Sequence, residues 1–237
     1  MSHTTTAKSR QAIPPNTHTA ARNKRDPYDA LRPWSAITHG IGAILAVIGT
    51  VLLLWGASFP FEVFGFGIYG LSMIALYTAS TLYHCLRTRV ALRHILRKLD
   101  HSNICLLIAG SYTPICLLTL WSCCGPVLLA GVWLFALAGI VLSIVWIGAP
   151  RWLSSVVYLA MGWLVVFAVK PLIALMPPVA LFWLVLGGVL YSVGGVLYAL
   201  KWPLRTSPRF GCHEIFHVFI LLGTICQYMT MWLIKTL

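Results

Sequence analysis

Residues 128–147 read LLAGVWLFALAGIVLSIVWI, 20 residues without a charge. A helix of that length is about 30 Å long and matches the hydrocarbon core of a bilayer. A membrane β-barrel would instead show alternating segments of about ten residues. Working outward in both directions, seven stretches of this kind emerge, at 35–56, 63–86, 99–120, 126–147, 152–170, 179–200 and 213–234. Short loops join them and nearly use up the 237 residues. The expectation is an all-α polytopic membrane protein, one seven-transmembrane helix bundle over residues 35–237 with no room for a second soluble domain.

Composition agrees. Apolar residues make up 59% of the chain and charged ones 9%, with a mean hydropathy of +0.85. Soluble domains carry roughly 25% charged residues, so the soluble, disordered, fibrous and disulfide-scaffold classes are excluded. Lys and Arg number 17 against 5 Asp and Glu. In a soluble protein that excess suggests nucleic acid; between membrane spans it fixes orientation, and no nucleic-acid partner is needed. With the N-terminus in the cytoplasm, Lys8, Arg10, Arg22, Lys24, Arg25, Arg32, Arg87, Arg89, Arg93, Arg97, Lys98, Arg151, Lys201, Arg205 and Arg209 all lie inside. Only Lys170 and Lys235 lie outside. The asymmetry predicts a cell-membrane (inner or plasma membrane) protein, N-terminus in and C-terminus out. Trp34, Trp55, Trp121, Trp146, Trp152, Trp202 and Trp232 fall near span ends, as an aromatic belt requires. Residues 1–34 are polar and basic and read as a disordered cytoplasmic tail, with no cleaved signal peptide.

Thr38, Gly42 and Ala46 form a small-residue stripe on the first span, and Gly188 and Ser192 another on the sixth, which lets helices approach closely. Pro114 should kink or break the third span. The seven cysteines include adjacent Cys123 and Cys124 but no CxxC pair, and read as small buried hydrophobes.

Ionisable groups inside spans are costly and therefore informative. His39 opens the first span, Ser80 and His84 end the second, Asp100 and His101 open the third, and His213, Glu214 and His217 open the seventh. By parity these positions face one side of the membrane, and the charge bias makes it cytoplasmic. His213-Glu214-Ile215-Phe216-His217 places two imidazoles four residues apart on one helical face. Such a pair can hold one Zn²⁺ at about 2.0–2.1 Å, with His84 as a third ligand and an open fourth position. That is the catalytic pattern, and the lack of paired cysteines argues against a structural site. Asp100 could orient a ligand, hydrogen-bond a bound water or act as general base. Ser80 could hydrogen-bond the same water, a substrate carbonyl or its own helix. His39 and His101 either support the ligands or simply pack, and His3, His18 and His94 read as tail or loop residues.

At these residues the chain resembles the hemolysin III family of bacterial membrane proteins, within the wider progestin and adipoQ receptor (PAQR) superfamily. The segments that carry the resemblance are SAITHGIG (35–42), STLYH (80–84), LDHSNICLLIAGSYTP (99–114) and HEIFHVFILLGTICQ (213–227). The resemblance implies a seven-helix fold with an intramembrane zinc site near the cytoplasmic face, with His84, His213 and His217 as ligands. It implies that Ser80 and Asp100 accompany the zinc-bound water. The superfamily is similar to alkaline ceramidases, which hydrolyse lipid amides. Bacterial members are associated with membrane-lipid or fluidity homeostasis, and the family name records haemolysis. Family members usually carry Glu just before the first span, whereas this chain has Arg32-Pro33-Trp34-Ser35.

Three functions compete. The first is a zinc-dependent hydrolase of a membrane lipid, or a sensor derived from one, with zinc as cofactor and the bilayer as the source of substrate. The second is a membrane metalloprotease with Glu214 of His-Glu-x-x-His as general base. The third is a lytic pore or a receptor with structural zinc. The outer half of the spans is apolar apart from scattered Ser, Thr and Tyr, which argues against a monomeric pore.

Overall fold

The computed structural model describes residues 31–203 and 210–235. His3, Lys8, Arg10, His18, Arg22, Lys24, Arg25, Asp26, Asp29, Arg205 and Arg209 therefore lie outside the described residues, as does the assigned tail up to residue 30. Among the described residues eight α-helices follow one another: α1 (Pro33–Leu54), α2 (Pro60–Cys85), α3 (Val90–Leu118), α4 (Gly125–Val145), α5 (Arg151–Trp163), α6 (Val169–Leu175), α7 (Pro178–Leu200) and α8 (Cys212–Lys235). A 3₁₀ segment, Leu164–Ala168, joins α5 to α6, and the three pieces form a single span. Seven spans result, and no strand occurs among the described residues.

Local chemistry sets the helix starts. Pro33, Pro60, Pro126 and Pro178 each occupy the first or second helical position, where the missing N–H is no loss. Glu62 caps α2 by accepting from the Ser58 N–H at 2.8 Å. α3 begins nine residues before the apolar stretch 99–120, so Arg93 and Arg97 are already helical.

The helices pack in a closed ring: α1 on α2, α2 on α3, α3 on α4 and α5, α5 on α7, α7 on α8, and α8 back on α1. α2, α3 and α8 are the most buried. The rest present apolar side chains outward. Val127 and Val145 of α4 are both 79% exposed, which only a lipid solvent tolerates in such numbers. The seven tryptophans assigned to the belt are all exposed. Close approach is bought with glycine on α1, where a Cβ at Gly42 would lie 2.7 Å from the Tyr77 ring. On α7 the small-residue contact falls one residue from the expected stripe. Gly187 meets Gln227 and Cys226 of α8, while Gly188 has open space. Thr38 is not part of the buried face of α1; its hydroxyl donates to the Trp34 and Ser35 carbonyls.

The expected break at Pro114 does not occur. α3 runs through it to Leu118, with Gly65 of α2 leaving room beside the ring. The break lies in the fifth span. Pro171 has no N–H to give the Phe167 carbonyl and its ring crowds that carbonyl, so the preceding turn tightens to 3₁₀. The hydroxyl of Tyr112, on α3, mends the damage. It donates to the Gly162 carbonyl at 2.6 Å and accepts from the Val165 N–H at 2.8 Å. Tyr112→Phe strands both groups in a low-dielectric interior and should cost about 1–3 kcal/mol. An unchanged unfolding midpoint in detergent would show that the break needs no hydroxyl.

Candidate metal centre

Chain direction brings the start of α1, the end of α2, and the starts of α3 and α8 to one end of the bundle. α8 begins with one half of a capping box, since its N-cap glycine has no side chain to complete the other. Gly211 is its N-cap, its carbonyl accepting from the Ile215 N–H at 3.1 Å. Glu214, at the third helical position, reaches back to the Gly211 N–H at 2.8 Å. Its other oxygen accepts from Arg32 Nη1 at 2.9 Å and from the Ser35 hydroxyl at 3.3 Å. The Arg32 backbone N–H donates to the His84 carbonyl at 3.1 Å. Arg32 thus ties the start of α1 to the end of α2 and the start of α8.

This knot holds His84, His213 and His217 together. Their ligand atoms lie within 4.8 Å of one another. His84 Nε2 and His213 Nε2 are 3.2 Å apart. Two nitrogens on one tetrahedral Zn²⁺ at 2.0–2.1 Å would be roughly 3.3–3.4 Å apart, so this pair already has ligand spacing. His84 and His217 are each 2% exposed, and His213 is half-buried. Nδ1 of His217 is buried without a hydrogen-bond partner. A buried imidazole nitrogen left unpaired, as His217 Nδ1 is, is costly, and three imidazoles around one point suit a borderline-soft cation such as Zn²⁺. The residues fit a metal ion.

His39 is near the triad but outside it. Its ring stacks on that of His217 at 3.7 Å, 22° from parallel, and meets the edge of Tyr77 at 5.0 Å. It buttresses the inner ligand. Asp100 and Ser80, 7% and 0% exposed, sit beside the triad. The Ser80 hydroxyl adjoins the Asp100 carboxylate without a hydrogen bond of good geometry. His101 Nδ1 lies 3.4 Å from Asp100 Oδ2. Asp100, His39, His101, His213 and His217 all line a small cavity of about 30 Å³, large enough for a water. Glu214 is nearby in sequence only, since both of its oxygens face the cap and Arg32.

Two larger spaces adjoin that cavity. An apolar chamber of about 240 Å³ lies deeper and shares Leu76, Ile104, Tyr158, Phe216 and Ile220 with it. A wider vestibule of about 730 Å³ reaches the end of the bundle and shares His101, Ser154, Tyr158, Tyr198 and His213. The centre therefore stands between an apolar space and a polar one.

Arg32 was not singled out from the sequence as a site residue. The one signal was its place just before the first span, where the resemblance leads one to expect an acid. Its partner Glu214 is 1% exposed, so Arg32→Ala leaves a buried carboxylate without its cation. Removing one member of a buried pair costs about 3–5 kcal/mol, and with Arg32 partly exposed we expect about 2–4. In a Glu214→Gln background the same change should cost less than about 1 kcal/mol. Equal costs in both backgrounds, measured by equilibrium unfolding, would show that the pair is not coupled.

Comparison with known proteins matches the described architecture. The model of the haemolysin-III related family matches residues 32–228. The Hemolysin-3 homolog of Bacillus subtilis (strain 168) is 41% identical over 198 residues, 82% of this chain and 89% of the relative. Hemolysin-3 of Bacillus cereus is 38% identical over 198 residues, 82% of this chain and 87% of the relative. An Adiponectin receptor protein of Drosophila melanogaster is 29% identical over 184 residues, 69% of this chain and 40% of the relative. These relatives support the wider PAQR superfamily.

Proposed function

From the premise that the chain belongs to the haemolysin-III related family of membrane proteins, we propose that it is a zinc-dependent hydrolase of membrane lipids that serves lipid or fluidity homeostasis. The observation that carries this reading is the convergence of His84, His213 and His217 with Asp100 and Ser80, between an apolar chamber and a polar vestibule. Bound zinc would polarise a carbonyl and acidify water at the centre. His84, His213 and His217 would hold it, and His39 fixes the tilt of His217 by stacking. The Asp100 carboxylate takes the proton released as water attacks an amide or ester carbonyl, and returns it to the leaving nitrogen or oxygen. The Ser80 hydroxyl, buried and unpaired, donates to the substrate carbonyl or to Asp100. The apolar chamber accepts part of an acyl chain and the vestibule the polar remainder. The cationic collar supports a cytoplasmic position for the centre, with the N-terminus inside.

The metalloprotease reading needs a free Glu214, and that carboxylate is fully engaged by Arg32, Ser35 and Gly211. The lytic reading rests on the relatives' names. Against it stands the polar network deeper in the bundle, where the Tyr77 and Tyr191 hydroxyls both meet Thr224 Oγ1, at 2.7 and 2.8 Å, so that those groups satisfy each other rather than water.

Purified protein in vesicles containing a long-chain N-acyl lipid and a diacyl ester lipid tests the proposal. Fatty-acid release that is lost on chelation and restored by zinc supports it. Zinc-loaded protein that releases no fatty acid from either lipid overturns it.

A further inference from the structure

The vestibule carries chemistry that zinc-dependent hydrolysis does not require. Its wall includes Arg32, Arg93, Arg97, Arg151 and Lys201, and among the described residues no carboxylate lines it. Arg32 is neutralised by Glu214, and Arg93 donates to the Leu86 carbonyl at 2.7 Å. Arg97, Arg151 and Lys201 are different. They are half-buried, and among the described residues none has a carboxylate partner. An orientation signal alone would be met by exposed loop cations such as Arg87 and Arg89. Cations gathered in a concave, partly desolvated wall instead focus a positive field into the space they enclose.

The field points at the metal centre. The Arg151 guanidinium lies 4.9 Å from the centre of the Tyr198 ring, and that ring lies 5.7 Å from His213. The stacked arginine keeps its edge N–H groups for a ligand. The mouth also reports its depth. Trp146 and Trp152 both line it and are 52% and 58% exposed, and indoles in that setting mark the level of lipid headgroups. The volume of about 730 Å³ falls in the range of ligand pockets.

We infer that the vestibule binds the phosphate oxyanion of an anionic phospholipid headgroup, held by Arg97, Arg151 and Lys201. Guanidinium forks match phosphate oxygens in pairs, and hydrogen bonds of this kind are the strong ones. The binding stands without the hydrolase reading; only the further step, that the site selects anionic lipids as substrates, rests on it.

The test is native mass spectrometry of the purified full chain with equal amounts of phosphatidylglycerol and phosphatidylcholine. Wild type should retain the anionic lipid at least about tenfold more than the zwitterionic one. Arg97→Gln/Arg151→Gln should bring that ratio close to one with zinc content unchanged. Arg87→Gln/Arg89→Gln, with the same loss of charge on exposed loop positions, should keep the preference. His217→Ala, a change in the triad outside the vestibule wall, should also keep it, which separates failure of this site from failure of the metal centre. An unchanged ratio in Arg97→Gln/Arg151→Gln, or equal losses in the two double variants, overturns the proposal. Inorganic phosphate is the second arm. Binding of phosphate with no lipid preference assigns the site to a soluble anion and overturns the lipid headgroup.

Discussion

A His84→Ala chain is expected to purify without metal, whereas the native chain should carry about one zinc per molecule. Three imidazoles leave one position of a tetrahedral ion for substrate or water, and two imidazoles from a single helix hold it far more loosely. Chelating zinc should lower the unfolding midpoint of the native chain, because an ion that binds only the folded state stabilises it. It should leave the variant unmoved, and lipid hydrolysis should fall to background. His217→Ala should behave alike. His39→Ala gives the contrast, since His39 stacks on a ligand from outside the triad, and it should keep its metal. Stoichiometric zinc in His84→Ala, measured by elemental analysis, would remove His84 from the ligand set.

Asp100→Asn should slow hydrolysis by about 10²–10⁴-fold while leaving the zinc content intact, the usual reach of a positioned base. The amide has the size of the carboxylate and no basic oxygen, so the cavity shared with His213 and His217 keeps its shape. Glu214→Gln sets the scale. It keeps the carbonyl oxygen that can cap Gly211, and should change the rate much less than Asp100→Asn. The reverse ranking in a single-turnover assay would move the base to Glu214 and restore the protease-like reading.

The spans were legible because lipid burial writes itself into composition. Residues 128–147 needed no context to be read as a crossing helix. The triad was legible because four residues make about one turn, and because the end of one span and the start of another must share a face of the membrane. Packing and capping were not. Glu214 sits in a string that also spells a protease motif, and only its partners show that it serves the helix start and Arg32. Arg32 looked like one more topological charge, since no local pattern announces a partner 182 positions away. Pro114 and Pro171 are the same residue with opposite outcomes. α3 is supported on both sides and carries its proline unbroken, whereas the thinly packed fifth span gives way and borrows Tyr112.

The knot between Arg32, His84 and Glu214 also sets a timetable. Its members enter the membrane in chain order, and His84 precedes His213 by 129 positions. At about 5–20 residues per second, a ribosome delivers the last two imidazoles roughly 6–26 s after the first. Throughout that interval the early spans hold one member of the triad and an arginine whose acid has not yet been made. The three-imidazole centre thus waits for α8, and a nascent chain stalled before it cannot assemble it.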